Sequence, residues 1–328
     1  MNTILTMTQT NSIISISKNG TDNLMATVSI SILTPSFNRG ELLIRLYQSI
    51  IKQTFRDFEW LIIDDGSTDN TRKITEECIL ENKKLNGPNI LYFYKENGGK
   101  HTVINKGVKL ARGELILIVD SDDMLPDNAL ETIISEWRQI KNKTEFAGIC
   151  GLDATFGGKV IGSGLPEETI DCTSIDLRFN RHVTGDMKEV FLKNVLQEFP
   201  FPEILNEHFC PEVLVWNRIA TKYKLRYINK IIYLAEYQPN GITSKIIEVR
   251  MKSPVGTATT YAEMLKYNIP LSVKIKSAIN YYRFKACANK HKVNIKLIPK
   301  VAIIWFIFKP LGWLMHKKDL KHLKKKKE

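Results

Sequence analysis

Four short apolar, β-branched runs alternate with stretches of helical spacing between residues 28 and 119, and that alternation does most to narrow the folds open to this chain. Residues 28–34 (VSISILT), 58–63, 90–94 and 115–119 read as strands. Residues 41–51, 70–84 and 102–111 read as helices, the first with Leu42, Leu43, Leu46, Ile50 and Ile51 on one face. In the second, Thr71, Ile74, Cys78 and Leu85 should face inward, and Gly113 is suited to cap the third. Strand–helix–strand units with right-handed crossovers build a mostly parallel sheet whose post-strand loops open on one edge, where ligands of such sheets bind. Asp64-Asp65 and the run Asp120-Ser121-Asp122-Asp123 each follow a strand directly. The two acidic clusters should therefore converge in space.

Beyond a further helix at 127–140 the pattern shifts to short strands and Gly-rich turns, with a helix at 212–223 (Val213, Trp216 and Ile219 aligned) and a strand at 227–236. The expected organisation is a flexible leader at 1–26 and a catalytic α/β domain at 27–240, followed by a helical, basic extension at 241–328. Within the domain, a nucleotide-binding half at 27–125 precedes an acceptor half at 126–240. The leader lacks the compact apolar stretch of a secretion signal, and Met25 stands just before the first strand as an alternative start. The formal charge of +12 would suggest nucleic acid if it were spread out. Residues 285–328 carry +11 of it, with 13 lysines against Asp319 and Glu328, so the body is near neutral and no nucleic-acid partner is expected. Five cysteines, never closer than 22 residues, form neither a disulfide framework nor a metal knuckle and point to a cytoplasmic protein.

Asp120 and Asp122 on a tight turn form the pattern by which two carboxylates hold a hard divalent cation, Mn2+ or Mg2+, with a diphosphate supplying further oxygens. Asp123 adds to a charge cluster that repels itself unless a cation compensates it. Asp64-Asp65-Gly66-Ser67 also makes an ordinary strand-ending turn, but Asp69 is the better cap for the following helix, which leaves Asp65 free to accept a hydrogen bond from a ring N–H such as uracil's. The loop 97–101 (NGGKH) lacks the spacing of a phosphate-binding loop. It is either a simple turn or a means of bringing Lys100 to diphosphate charge.

In order and content, these motifs resemble the family 2 glycosyltransferases of GT-A fold. The matching segments are VSISILTPSFNR (28–39), QTFRDFEWLIIDDGSTD (53–69), ENGGKHTVINK (96–106), ARGE (111–114) and VDSDDMLP (119–126), and the resemblance extends over about 27–240. It implies a Rossmann-like central sheet flanked by helices, a nucleotide-sugar donor, a divalent metal and transfer with inversion. Carried over by position, Thr34 and Asp65 would contact the nucleobase, Asp120 and Asp122 would serve ribose and metal, and Asp123 would lie near the donor sugar or metal. The family's base usually sits in a Glu-Asp pair six residues before an Arg. Here Glu212 stands six before Arg218 with Pro211 in the preceding place, so Glu212 is the implied base and Asp186, Glu207 and His208 are its competitors.

These readings describe a metal-dependent inverting glycosyltransferase of hexosyl or N-acetylhexosaminyl type. It would move a sugar from a nucleotide-sugar such as a UDP-sugar to a glycan or lipid-linked acceptor in cell-surface polysaccharide biosynthesis. The rival is a catalytically inactive nucleotide-sugar-binding or membrane-surface scaffold, for which the Pro211 departure is the support. The run VAIIWFIF (301–308) is too short to span a bilayer. It reads either as a buried helix or, with Trp305, Trp313 and the lysines at 317–327, as an interfacial segment at an anionic membrane surface, which would place the protein peripherally on the inner face of the cell membrane.

Overall fold

The computed structural model describes residues 13–14, 27–236, 242–288 and 295–325. Its strands and helices in chain order are β1 (Ile13–Ile14), β2 (Val28–Ser36), α1 (Gly40–Ile51), β3 (Phe58–Asp64), α2 (Thr71–Lys84), β4 (Asn89–Tyr94), α3 (Lys100–Leu110), β5 (Gly113–Ile118) and α4 (Ala129–Arg138). There follow β6 (Phe146–Ala154), β7 (Thr169–Cys172), α5 (Ser174–Phe179), β8 (Met187–Leu192), α6 (Lys193–Glu198), α7 (Glu212–Ala220) and β9 (Lys224–Leu234). Four helices close the chain: α8 (Ile246–Lys252), α9 (Pro254–Met264), α10 (Leu271–Lys285) and α11 (Lys309–Lys325).

All nine strands join one sheet in the order β1-β4-β3-β2-β5-β8-β6-β9-β7. β2 lies between β3 and β5 and is parallel to both, and β4 continues the parallel part beyond β3. These are the βα units of the first half, whose apolar strands are covered on both faces. One face packs Tyr47, Trp60 and Trp137, the other Leu33, Phe191 and Tyr227. The direction reverses at β8, which enters antiparallel between β5 and β6. Because β2, β3 and β5 point the same way, Asp64-Asp65 and the 120–123 turn both leave the same edge of the sheet.

Several details differ from the sequence reading. Gly113 does not cap α3: it is the first residue of β5, its N–H donates to Ser31 Oγ at 2.8 Å, and a Cβ there would lie 2.3 Å from the Ser31 backbone nitrogen. Its role is close strand approach. Leu85 ends outside the core at 60% exposure, because α2 stops at Lys84. In α7 the buried residues include Leu214, Val215 and Ile219, whereas Val213 is exposed, and the helix stops at Ala220. Of the leader, Ile13–Ile14 pairs antiparallel with Phe93 and Tyr92 at the sheet edge, and the rest of 1–26 lies outside the described residues.

The C-terminal helices form a separate apolar cluster that includes Val255, Ala258, Ala262 and Tyr281. Ile303–Phe308 is a 3-10 helix with no buried residue, so the reading of it as a buried core helix is overturned. Among the described residues no helix is long and apolar enough to cross a membrane.

Candidate active site

The loops at the sheet edge are stitched to one another before any ligand is considered. Asn38 Oδ1 accepts from Thr68 N–H at 2.8 Å and Asn38 N–H donates to Ser67 Oγ at 2.8 Å, which joins the loops after β2 and β3. Asp69 accepts from Thr71 N–H at 2.9 Å, so it meets the first amide of α2 from one place outside the Asn70 cap position.

Asp65 was expected to be free for a nucleobase. Instead its carboxylate accepts from Lys95 Nζ at 2.6 Å and from the N–H groups of Gly98 and Gly99 at 2.9 and 2.7 Å. Those amides open α3, so Asp65 places negative charge at the positive end of that helix and fixes the 97–99 loop. Gly99 tolerates this course because it has no side chain. Its φ is +91°, and a Cβ would fall 2.0 Å from the His208 carbonyl oxygen. Thr34 also departs from its expected role: it is fully buried, and its hydroxyl accepts from Trp60 Nε1 at 2.9 Å.

With the loop held in this way, Lys100 is the first residue of α3 and reaches across the edge. Its Nζ lies 2.5 Å from Asp120 Oδ1 and 2.8 Å from Glu212 Oε1. One ammonium therefore joins Asp120, on the turn after β5, to the first residue of α7, 92 positions further along the chain. Burial by itself would lower the Lys100 pKa, but the two carboxylates outweigh it and hold it above its ordinary value. Asp120 is held low: burial opposes ionisation, and Lys100 and Lys188 override it.

The other two acids share the turn. Asp123 is buried and accepts from the Tyr233 hydroxyl at 2.6 Å, while the same hydroxyl accepts from Asp120 N–H at 3.0 Å. Burial, then the charge of Asp120, pushes Asp123 up to about 6. Asp122 is half-buried, and its backbone carbonyl accepts from the Arg45 guanidinium. No cluster of three or more His, Cys, Asp or Glu side chains arranged for a metal occurs among the described residues. The donors fit a hard cation only as a half-site, with Asp120 and Asp122 on one turn and the remaining oxygens left to water and a diphosphate, which is how Mg2+ is commonly bound.

The competing bases separate clearly. Glu207 is 4% exposed and its two oxygens accept from Val255 and Gly256 N–H at 2.6 and 2.9 Å, so it holds the first turn of α9. Replacing Glu207 with Ala should cost about 2 to 3 kcal/mol in thermal or urea unfolding, since two buried amides lose a charged acceptor. A loss below about 0.5 kcal/mol would refute that role. His208 Nδ1 bonds Asn97 Oδ1 at 2.9 Å, which ties the loop before α7 to the loop before α3. Asp186 is exposed, one residue before β8.

Three residues of this region were not singled out from sequence. Lys188 on β8 places its Nζ 3.7 Å from the centroid of the Tyr233 ring, and Asp120 and Asp153 raise its pKa against the lowering effect of burial. The charged pair Lys188-Glu189 inside the strand MKEVFL was the available signal. Tyr233 and Asp153 carry no such mark, since one tyrosine and one aspartate within apolar strands are ordinary. Asp153 Oδ1 is buried with no hydrogen-bond partner among the described residues. Burial, opposed by Lys188 and reinforced by Asp186 and Asp120, pushes this carboxyl up to about 6 from an ordinary 3.8.

The folded protein thus holds the Asp153 proton more tightly than the unfolded chain does. Stability is unaffected by it below about pH 4, falls as pH rises towards about 6, and bears the full cost above that. Asp153→Asn should therefore stabilise the protein by about 2 to 3 kcal/mol near pH 7.5 and give no gain near pH 4. Melting curves of both proteins at the two pH values decide it, and an equal shift at both would refute the assignment.

Residues 31–149 match the family model described as glycosyl transferase family 2. An uncharacterized glycosyltransferase of Rickettsia felis is 37% identical over 254 residues, which cover 74% of this chain and 36% of that protein. The match spans 36% of the length of each of the first two curated relatives, a glycosyltransferase GlyG of Streptococcus pneumoniae and the Rickettsia felis protein. A GalNAc(5)-diNAcBac-PP-undecaprenol beta-1,3-glucosyltransferase of Campylobacter jejuni is 28% identical over 279 residues, which cover 83% of this chain and 86% of that protein. Among solved structures, S. aureus TarS 1-349 in complex with UDP-GlcNAc aligns with a TM-score of 0.52 at 20% identity, covering 80% of this chain and 83% of that one. The mannosyltransferase PcManGT of Pyrobaculum calidifontis, solved with GDP-Man and Mn2+, aligns at 0.54 and 13% identity, covering 92% and 88%. Both share the GT-A fold.

Proposed function

Because the chain carries a family 2 glycosyltransferase domain on a GT-A sheet, we propose that it moves a sugar from a UDP-sugar to a glycan or lipid-linked acceptor, with inversion, in the synthesis of a cell-surface polysaccharide. The observation that carries this reading is the double ion pair of Lys100, which draws the donor-side turn and the head of α7 to one place. In the proposed reaction Glu212 accepts the proton of the acceptor hydroxyl as that oxygen attacks the anomeric carbon. The bond from that carbon to the diphosphate oxygen breaks on the opposite face, which inverts the centre. Lys100 leaves Glu212 and Asp120 for the diphosphate, since a polyanion is the stronger partner for one ammonium. Asp120 and Asp122 would hold a Mn2+ or Mg2+ ion, which supplies positive charge at the leaving group.

A panel of nucleotide sugars, assayed for release of the nucleoside diphosphate with and without Mn2+ or Mg2+, tests the proposal. Release from one UDP-sugar that chelator abolishes is the expected result. Donor binding without release or transfer under any condition would favour an inactive scaffold.

A further inference from the structure

We propose that the outer face formed by Ile303–Phe308 and the first half of α11 is a docking surface for an anionic lipid bilayer. In this face Ile303, Ile304, Phe306 and Ile307 are 91, 65, 55 and 70% exposed, and Leu311, Trp313 and Leu314 continue the apolar surface at 49, 52 and 56%. Contiguous exposure on this scale marks an interaction surface. It is not the frayed end of a core, because the opposite side of α11 is well packed. Gly312 lies against the Ile279 carbonyl, Cys287 Sγ meets His316 Nδ1 at 3.4 Å, and Arg283 pairs with both oxygens of Asp319 at 2.6 and 2.8 Å.

The choice of a bilayer rests on charge complementarity. Residues 285–328 carry +11, and Lys317, Lys318, Lys321 and Lys324 follow the apolar patch on exposed positions of α11. Lys309 Nζ lies 4.8 Å from the Phe306 ring centroid and Lys317 Nζ 5.1 Å from that of Trp313. Ammoniums seated over aromatic faces suit a headgroup boundary, where rings reach the acyl layer beside the charges that meet the phosphates. The surface is also rigidly tied to the active site. α11 packs on α10 and α10 on α9, and α9 is fixed to α7 by Arg218 and Glu263 at 2.7 and 2.9 Å. A bilayer held there stands in a set relation to Glu212.

The full chain should float with vesicles of phosphatidylcholine and phosphatidylglycerol, weakly or not at all with phosphatidylcholine alone, and less as salt rises. Ile303→Ser, Ile304→Ser and Ile307→Ser together should abolish flotation without changing the melting temperature, since all three side chains are solvent-exposed. Lys317→Ala, Lys318→Ala and Lys321→Ala together should weaken it by about 100-fold, at roughly fivefold per lysine. The proposal is overturned if the wild type does not float, or if flotation survives the serine changes. It is equally overturned if light scattering shows a dimer that the serine changes split while no vesicle binding occurs, because a second copy then covers the face.

Discussion

Glu212→Gln is expected to lower sugar transfer by about 100-fold or more while donor affinity stays near wild type, the usual size of a general-base effect. The substitution keeps the volume and leaves an oxygen to accept from Lys100, so the head of α7 keeps its place, yet an amide cannot take a proton. The measurement is acceptor-dependent product formation beside calorimetric binding of the donor nucleotide. The structure sharpens the comparison with the competing acids, because Glu207 is committed to Val255 and Gly256. Asp186 remains the exposed alternative. Normal transfer by Glu212→Gln together with failure of Asp186→Asn would move the base to β8.

Asp122→Ala should remove at least about 100-fold of cation-dependent donor turnover, since a half-site of two carboxylates has no spare ligand. Little stability should be lost with it, within about 0.5 kcal/mol, because the side chain lies on a solvent-reachable turn and the Arg45 contact is made to the backbone carbonyl. Turnover at saturating Mn2+ and Mg2+, read beside a melting curve, separates loss of a ligand from loss of fold. Unchanged turnover would end the assignment of Asp122 to metal.

The βα alternation was legible because strand and helix periodicities are local: β2, α1, β3, α2, β4, α3 and β5 all stand within a few residues of where their apolar patterns put them. That both acidic clusters leave one edge of the sheet followed from chain direction alone. What could not be read locally was which partner each polar group would find. Asp65 looked available because its neighbours in sequence do not use it, while the amides that engage it lie 33 and 34 residues on. Glu207 looked like a base until the first turn of α9 arrived from 48 residues away. Thr34 sits where the family pattern places a nucleobase contact, but its strand runs through the middle of the sheet and the hydroxyl faces the indole of Trp60. Gly113 shows the converse error: a glycine after a helix suggested a helix cap, whereas the need was for two backbones to approach closely.

The fastening of α9 to the head and body of α7 limits how this protein could be recombined with its relatives. Exchanging a segment that ends near residue 240 would carry Glu207 and Arg218 into a foreign context without the Val255 and Gly256 amides or the Glu263 carboxylate they meet here. Two charged groups would then be stranded close to Glu212. A working chimaera must therefore transplant the loop at 200–211, α7 and α9 as one cassette, and mutational drift in any of the three should be compensated in the other two rather than in residues 27–125.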